Sequence, residues 1–153
     1  MTDPADLADP PELDPRIALL PHRPPFRFVT AVANCEPGVA ISASYSVTGD
    51  EDFLAGHFPG NPVLPGVIQL EALAQTGAIA LLADERYAGK LPLFGGVEGV
   101  RFRRQVKPGD ELRLDVTLER LSGRAGWGQG RATVDGERCC DARIFFVIAP
   151  MPS

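Results

Sequence analysis

One histidine and one glutamate stand out because their types and spacing suit proton transfer. His57 is one of only two histidines in the chain, and it lies in the glycine- and proline-rich segment GHFPGNPVLPG. Glu71 follows fourteen residues later, in the mostly apolar segment VIQLEALAQ. A neutral imidazole is a natural base near pH 7, and a carboxyl group among apolar side chains either pairs with a cation or becomes a usable acid. The two residues therefore indicate general acid–base chemistry.

The segment between these residues leads into the predicted start of a helix. Pro65 suits a first-turn position, and the apolar helical pattern after it fades near residues 84–89. Free backbone N–H groups at such a start, with the positive end of the helix dipole, can polarise a carbonyl oxygen. Base, acid and oxyanion donor would then come from one short stretch. Together they fit the removal of a proton next to a carbonyl group.

Both residues also have a structural explanation, which the sequence leaves open. A lone histidine in a loop often only caps a turn through a backbone hydrogen bond. Glu71 could face solvent at the helix edge or pair with an arginine from a distant strand. No Lys or Arg lies within one helical turn of it, and Gln75 is placed at i+4 to hydrogen-bond it and hold its rotamer.

The elements that must position these residues follow an α+β pattern. The predicted helix is apolar nearly all round, which is typical of a helix enclosed by other elements. Before it, GVAISASYSVT alternates as a half-buried antiparallel strand does. The residues on its apolar face are Val39, Ile41, Ala43, Tyr45 and Val47. After the helix, strands are predicted at GVRFRRQV, LRLDVTLERL, GWGQGRATV and CCDARIFFVI, with a hairpin at Asp135-Gly136. We predict one long helix wrapped by one curved antiparallel sheet.

Length and charge indicate one domain behind an acidic tail. The net charge of -5 comes entirely from the first fifteen residues, because the remainder holds 15 bases and 15 acids. We predict residues 1–16 as a disordered, acidic, Pro-rich tail and residues 17–150 as a single domain. The tail lacks the pattern of a signal peptide. The balanced charge of the rest argues against binding of nucleic acid through bulk charge.

Membrane, metal and disulfide chemistry are not indicated. The apolar run 67–82 is shorter than a membrane span and contains Glu71 and two glutamines. The three cysteines, Cys35, Cys139 and Cys140, lack the spacing of a zinc site or a disulfide framework. We therefore expect reduced, mostly buried cysteines, no metal site, no membrane partner and a cytoplasmic protein.

Several segments together resemble one known family. GHFPGNPVLPGVIQLEALAQ is similar to the active-site segment of the FabZ-type (3R)-3-hydroxyacyl-[acyl-carrier-protein] dehydratases, which have the hotdog fold. LPHRPPF resembles the N-terminal signature of that family, and VRFRRQVKPGDELRLDV resembles its stretch after the helix. GRATVDGERCCDARIFFVI resembles its final hairpin. The resemblance covers about residues 19–148, which is nearly all of the predicted domain.

The resemblance implies a role for each residue of the active-site segment. His57 would take the C2 proton of a 3-hydroxyacyl thioester, Glu71 would protonate the departing 3-hydroxyl, and the Gly66 N–H would bind the thioester carbonyl. The other substrate-binding residues that we expect are Phe58, Val67 and Gln75. In the family, the histidine and the acid of one site come from opposite subunits of a dimer, and such dimers often assemble as trimers. We therefore expect a homodimer or a trimer of dimers.

The resemblance also implies a carrier-bound substrate and no separate cofactor. The acyl chain would arrive on the phosphopantetheine arm of an acyl carrier protein and enter a narrow apolar tunnel. Because such carriers are acidic, we expect a basic cluster near the tunnel mouth to dock one, although the same cluster could be a solvated strand edge. The cluster consists of Arg101, Arg103, Arg104 and Lys107.

Two positions refine the resemblance. Glu71 stands where related dehydratase/isomerases and polyketide dehydratase domains have Asp, which favours dehydration without double-bond isomerisation. Leu93 and Phe94 stand where many members have a Tyr-Phe pair, whose tyrosine is thought to gate the tunnel. Chain-length preference therefore cannot be carried over. We interpret His22 and Arg23 of LPHRPPF as structural residues.

Two other functions compete with this hypothesis. A hotdog acyl thioesterase would use the carboxylate and the helix start on water, but it has little need of the histidine in HFPG. A non-catalytic carrier-binding subunit could lose His57 or Glu71 freely, so the intact pair weighs against it.

Overall fold

One helix packs against one antiparallel sheet in the computed structural model, which describes residues 8–152. The α-helix of this described part, α1, spans Gly66–Leu82. The strands are β1 Ala31–Glu36, β2 Ala40–Ser46, β3 Lys90–Phe102, β4 Glu111–Glu119, β5 Ala125–Val134 and β6 Glu137–Pro150. They pair in the order β1-β2-β4-β5-β6-β3, and every pairing is antiparallel. The predicted α+β class is confirmed.

The sheet approaches α1 closely because small residues face it. Every residue of α1 from Ala72 to Leu82 is buried. A Cβ atom on Gly77 would lie 2.8 Å from the Phe146 ring and 3.2 Å from Val116, so the strands leave no room for a larger side chain there. The sheet therefore wraps the middle and end of the helix, as its apolar surface predicts, and leaves the start of the helix more open.

The alternation predicted for β2 is confirmed at four of its five positions. Ile41, Ala43, Tyr45 and Val47 are all at most 4% exposed. Val39 is 44% exposed, because it precedes the strand and lies in the turn from β1. The predicted hairpin between β5 and β6 is also present: Asp135 and Gly136 have φ angles of 49° and 80°, which the Asp-Gly pair tolerates.

The strand predicted at GVRFRRQV is displaced. The observed β3 begins at Lys90 and ends at Phe102, so the last four residues of the predicted strand follow it. Its pairing with β6 shifts register between Phe94 and Gly96 and again between Glu98 and Arg101. These irregularities and the glycines break the period of two on which the prediction depended. The strand lies at an edge of the sheet.

The acidic tail is described only in part. Residues 1–7 lie outside the described residues. Within residues 8–16, the Asp9 carboxylate forms an ion pair with Arg27 of the predicted domain. Ile17, the first residue of that domain, is fully buried. The extent of a disordered tail stays a prediction.

The three cysteines are free thiols. Cys139 and Cys140 are fully buried, and Cys35 is partly buried. Burial raises the pKa of all three thiols, that of Cys140 to about 12. Among residues 8–152, no helix combines the length and hydropathy that crossing a membrane requires.

Candidate active site

The ring of His57 is fixed by the backbone of its own loop. Its Nδ1 lies 2.7 Å from the carbonyl oxygen of Val63. The loop is closed by two 2.9 Å hydrogen bonds between the backbones of Phe58 and Asn61, and the Val63 N–H donates to the His57 carbonyl at 2.8 Å. Because a carbonyl oxygen can only accept, Nδ1 carries the ring hydrogen of the neutral imidazole, and Nε2 keeps its lone pair. The backbone hydrogen bond that a purely structural histidine would make is therefore present at Nδ1. It leaves Nε2 of the ring available as a base.

The His57 ring borders a cavity of about 390 Å³. Several residues that the sequence singles out line this cavity, although they come from three segments of the chain. The residues among them that line the cavity are Phe58, Gly66, Val67, Arg103 and Arg104. Three of the predicted substrate-binding residues and two of the predicted docking residues therefore lie around the base.

The start of α1 contributes unpaired donors to the same cavity. Pro65 precedes the helix and offers no side-chain cap. The N–H groups of Gly66 and Val67 have no acceptor among residues 8–152, whereas the next two N–H groups donate to the Pro65 carbonyl. A Cβ atom on residue 66 would lie 2.8 Å from the Phe102 ring, so only glycine fits without displacement. The cavity thus combines a base with the positive end of a helix.

Glu71 lies on α1 in a different environment. Its side chain is 20% exposed, and its Oε1 lies 3.4 Å from Nε2 of His22. Gln75 donates from Nε2 to the same oxygen at 3.0 Å, which is the hydrogen bond expected from the i+4 spacing. Within the described part of the chain, no Lys or Arg pairs with this carboxyl group. The structure therefore does not contain the ion pair between Glu71 and a distant arginine that the sequence left open.

Gln75 ties Glu71 to the N-terminal segment. The glutamine is 1% exposed, and its Oε1 accepts the Phe28 N–H at 2.7 Å. The amide NH2 group must then lie on the other side, where it donates to the Phe26 carbonyl at 3.1 Å and to Glu71. Both hydrogens and the oxygen of this amide are used. Gln75 thus lies with the acid, not in the cavity beside His57.

One chain does not bring the predicted base and acid together. The lining of the His57 cavity includes neither Glu71 nor Gln75. No hydrogen bond or ion pair between His57 and Glu71 occurs within residues 8–152. In that same range, no three His, Cys, Asp or Glu side chains are grouped so that they could hold a metal ion.

The predicted docking cluster is divided by the structure. Arg103 and Arg104 line the cavity, whereas Arg101 and Lys107 are exposed and do not line it. Arg103 lies 3.4 Å from the carboxylate of Asp141. Arg104 lies 3.8 Å from each of two carboxylates. Acidic neighbours therefore partly neutralise the two arginines nearest the base.

The edge strand β3 leaves large apolar side chains uncovered. Leu93 and Phe94, the pair that replaces Tyr-Phe, are 46% and 41% exposed. Val97 and Phe102 on the same strand are 42% and 51% exposed. An exposed edge with such side chains is a surface on which another strand commonly pairs.

Comparison with known proteins identifies the family. The family model described as the FabA-like domain matches residues 20–143. The "3-hydroxyacyl-[acyl-carrier-protein] dehydratase FabZ" of Chloroflexus aggregans is 51% identical over 86% of this chain and 92% of the relative. Its namesake in Oenococcus oeni is 54% identical over 85% of this chain and 94% of the relative. This chain belongs to the FabZ-type dehydratases.

Solved structures more distant than the FabZ relatives share the fold. The dehydratase heterocomplex ApeI:P from Xenorhabdus doucetiae has a TM-score of 0.72 at 19% identity, over 88% of this chain and 91% of that one. A hypothetical thioesterase with coenzyme A from Streptococcus pneumoniae has a TM-score of 0.61 at 10% identity, over 80% and 87%. At these identities the likeness concerns the fold alone, and the hotdog fold expected from the sequence is confirmed.

The structure adds a contact at His22 of this FabZ-type chain that the sequence does not indicate: the His22 ring lies 3.4 Å from Glu71. Its interpretation as a structural residue stays a prediction. No spacing rule links positions 22 and 71, because they meet only through the packing of the N-terminal segment on α1. Arg23 does bond its own turn, as expected, by donating to the carbonyls of Leu20 and His22 at 2.7 and 2.8 Å.

Proposed function

We propose that this FabZ-type chain dehydrates (3R)-3-hydroxyacyl thioesters on acyl carrier protein to trans-2-enoyl thioesters in fatty-acid elongation. The names of its relatives at about half identity support this activity. The observation that carries it is the His57 ring, held by the Val63 carbonyl with Nε2 free, in one cavity with the unpaired N–H groups of the helix start. A base beside an oxyanion site is what abstraction of a proton next to a thioester carbonyl requires.

The first half of the reaction uses the cavity around His57. Nε2 takes the proton from C2 of the substrate. Negative charge then grows on the thioester oxygen, where the N–H groups of Gly66 and Val67 stabilise it. The C2 electron pair is thereby held next to the carbon that carries the 3-hydroxyl.

The second half uses Glu71. Its carboxyl group gives a proton to the 3-hydroxyl, the C3–O bond breaks with its electrons, and water leaves as the C2–C3 double bond forms. The enzyme then holds an imidazolium and a carboxylate, and transfer of one proton from His57 to Glu71 restores both. The net change in the substrate is loss of one water molecule, so no oxidant or reductant is needed.

We propose that the complete site forms between two chains, with the base from one and the acid from its partner. Three observations support a homodimer. His57 and Glu71 lie in separate surroundings within one chain. Within residues 8–152, no strand pairs with the outer side of β3. Large apolar side chains on that strand are exposed. The larger assembly that we propose is a trimer of such dimers, and the native mass of the protein in solution tests it.

We also propose that an acyl carrier protein docks beside Arg103 and Arg104. These two side chains line the cavity that the phosphopantetheine arm would enter, and Arg101 and Lys107 extend positive charge over the neighbouring surface. Such a local patch attracts an acidic partner although the whole chain is acidic. Charge reversal at Arg101 and Lys107 would weaken carrier binding while leaving turnover of a small N-acetylcysteamine thioester unchanged.

The deciding experiment follows enoyl-thioester absorbance with a (3R)-3-hydroxyacyl-carrier-protein substrate. We expect His57→Ala and Glu71→Gln each to lower the rate by about a thousandfold or more, because each removes one partner in proton transfer. Glu85→Gln, which changes an exposed carboxylate, serves as the control and should behave as the wild type.

Each rival function has its own outcome in this assay. Near wild-type rates in both catalytic variants would contradict the assignment. Release of free thiol by the wild type in place of enoyl product would indicate a thioesterase. Binding of the carrier without either product would indicate a non-catalytic subunit.

A further inference from the structure

We propose that His22 is a positioning residue for Glu71. Together with Gln75 it occupies Oε1 of the carboxyl group, so that the proton to be donated is held on Oε2. The inference rests on the proposed function, and it gives the turn LPHRPPF a role in the chemistry.

The Gln75 contact has a fixed direction. The Phe28 N–H donates to the oxygen of the Gln75 amide at 2.7 Å, and the Phe26 carbonyl accepts from its nitrogen at 3.1 Å. A flipped amide would lose both bonds and is therefore disfavoured in this buried position. The remaining hydrogen of the NH2 group points at Oε1 of Glu71, 3.0 Å away. Oε1 accordingly acts as an acceptor toward Gln75.

The His22 ring places a second potential donor beside the same oxygen, without a formed hydrogen bond at the observed separation. Its Nδ1 is buried and has no hydrogen-bond partner among the described residues. A ring hydrogen on Nδ1 would therefore be buried without an acceptor, whereas on Nε2 it faces Oε1 of Glu71 at 3.4 Å. The neutral tautomer with hydrogen on Nε2 is favoured. The separation is long for a hydrogen bond, and catalytic contacts of this kind commonly shorten when substrate binds.

The turn itself keeps the ring in place. The Arg23 guanidinium donates to the carbonyls of Leu20 and His22, which closes the backbone around the histidine. The ring also stacks on Phe26, with centroids 6.4 Å apart and an angle of 23° between the planes. His22 thus reaches Glu71 from the segment on which Phe26 lies, and Gln75 on α1 is bonded to that same segment through the Phe26 carbonyl.

One N–H donor bonded to a carboxyl oxygen and a second beside it favour the proton on the other oxygen. An oxygen that accepts such hydrogen bonds is the carbonyl oxygen of a carboxylic acid, so the hydroxyl oxygen is Oε2. Within residues 8–152, no donor reaches Oε2. Removal of His22 would let the carboxyl group rotate and spend time with its proton turned away from the substrate. The effect falls on breakage of the C3–O bond and not on removal of the C2 proton.

Substitutions at His22 that differ in the position of one N–H group test this role. A glutamine side chain can place its amide nitrogen near the position of Nε2, whereas asparagine places its nitrogen near Nδ1. We expect His22→Asn and His22→Leu to lower kcat on a 3-hydroxyacyl-carrier-protein by about tenfold, and His22→Gln to lie within about threefold of the wild type. If His22→Asn folds poorly, as judged by urea unfolding, His22→Leu carries the same expectation.

A second substrate separates positioning from general structural damage. In a 3-chloroacyl-carrier-protein, His57 takes the C2 proton, those electrons form the double bond, and chloride leaves without a proton. We expect all three His22 variants to turn over this substrate at the wild-type rate, measured above its spontaneous elimination. Wild-type rates of His22→Asn and His22→Leu on the hydroxy substrate, or equal losses on both substrates, would overturn the inference.

The variants His57→Ala and Glu71→Gln test the proposed function on which this inference rests. If Glu71→Gln loses only the hydroxy substrate and His57→Ala loses both, the proposed function stands and the His22 result is decisive on its own. If both catalytic variants keep wild-type rates on both substrates, the proposed function fails, and the inference fails with it.

Discussion

The proposed base and acid lie fourteen residues apart in the chain, yet contacts of very different reach hold them. The His57 ring is fixed by a carbonyl only six residues away, inside a loop that closes on itself. Glu71 is held by Gln75 and His22, and Gln75 in turn bonds the backbone of Phe26 and Phe28, 49 and 47 residues away. The base is positioned locally, and the acid is positioned by tertiary packing.

This difference predicts how substitutions around His57 and around Glu71 affect the protein. A change around Gln75 removes buried hydrogen bonds between α1 and the N-terminal segment, so it lowers stability and activity together. A change in the His57 loop or at the start of α1 disturbs exposed or half-buried groups, so it lowers activity with a smaller loss of stability.

The largest expected effect on stability is that of Gln75→Leu. It leaves the buried Phe28 N–H and the partly buried Phe26 carbonyl without their partner. We expect a loss of about 3 kcal/mol in the free energy of unfolding, because each buried orphan group costs about 1–3 kcal/mol. Urea unfolding monitored by circular dichroism measures it.

Gln69→Leu is the matched control on the same helix. Gln69 is also buried, at 3% exposure, but its Oε1 has no hydrogen-bond partner among the described residues. We expect this substitution to be neutral or stabilising, since it removes an unsatisfied group. Equal losses of unfolding free energy in the two variants would contradict the view that the hydrogen bonds of Gln75 hold Glu71 and α1 to the N-terminal segment.

A smaller effect is expected at Glu51, on the side of the base. Burial by itself raises the pKa of this carboxyl group, but hydrogen bonds from backbone N–H groups and from the Tyr45 hydroxyl outweigh it and lower the pKa. The backbone donors include those of Thr48 and Gly49, at 3.0 and 2.8 Å. Because the folded pKa lies below the unfolded one, the stabilisation is complete above pH about 4.3 and is lost as the pH falls through the lowered value.

Glu51→Gln tests this pH dependence. We expect it to lower the free energy of unfolding by about 2 kcal/mol at pH 7, with the difference from the wild type shrinking below about pH 4. The exposed neighbour Asp50 supplies the control Asp50→Asn. This control should change neither the free energy of unfolding at pH 7 nor its dependence on pH. A difference that does not depend on pH would show that the charge of Glu51 is not what stabilises the turn before His57.

The smallest expected effect on stability, and a selective one on activity, is that of Gly66→Ala. The added Cβ would meet the Phe102 ring at 2.8 Å, at the donors that would bind the thioester oxygen. We expect kcat/KM to fall by about tenfold, equivalent to about 1.4 kcal/mol, with less than that lost in stability. Gly56→Ala is the control, because no atom of the described residues lies within 4 Å of its Cβ position. If both variants keep full activity, the helix start is not the oxyanion site.

The sequence reveals most of the fold because the signals for its main elements are strong and local. The helix 66–82 follows from a mostly apolar segment after Pro65, and the hairpin at Asp135-Gly136 follows from turn chemistry alone. Strand β3 is harder to predict, since two register shifts and several glycines hide its alternation. Pattern recognition therefore works where side chains repeat with the period of their element, and fails where the backbone departs from it.

The candidate site divides along the same line. The His57 loop and the helix start are contiguous in the chain, so their meeting in one cavity follows from short spacing. The contact of His22 with Glu71 depends on how the N-terminal turn packs on α1, which no local pattern encodes. The separation of Glu71 from the His57 cavity is likewise a property of the folded chain.

The central claim is that one site takes its base from one chain and its acid from the partner. The most direct test mixes His57→Ala chains with Glu71→Gln chains carrying a different affinity tag, and isolates the mixed dimers by two purification steps. Each mixed dimer would hold one intact site and one doubly altered site. We predict about half of the wild-type dehydration rate per dimer, although each parent variant is nearly inactive. Mixed dimers as inactive as their parents would contradict the claim, because a site built within one chain could not be restored in this way.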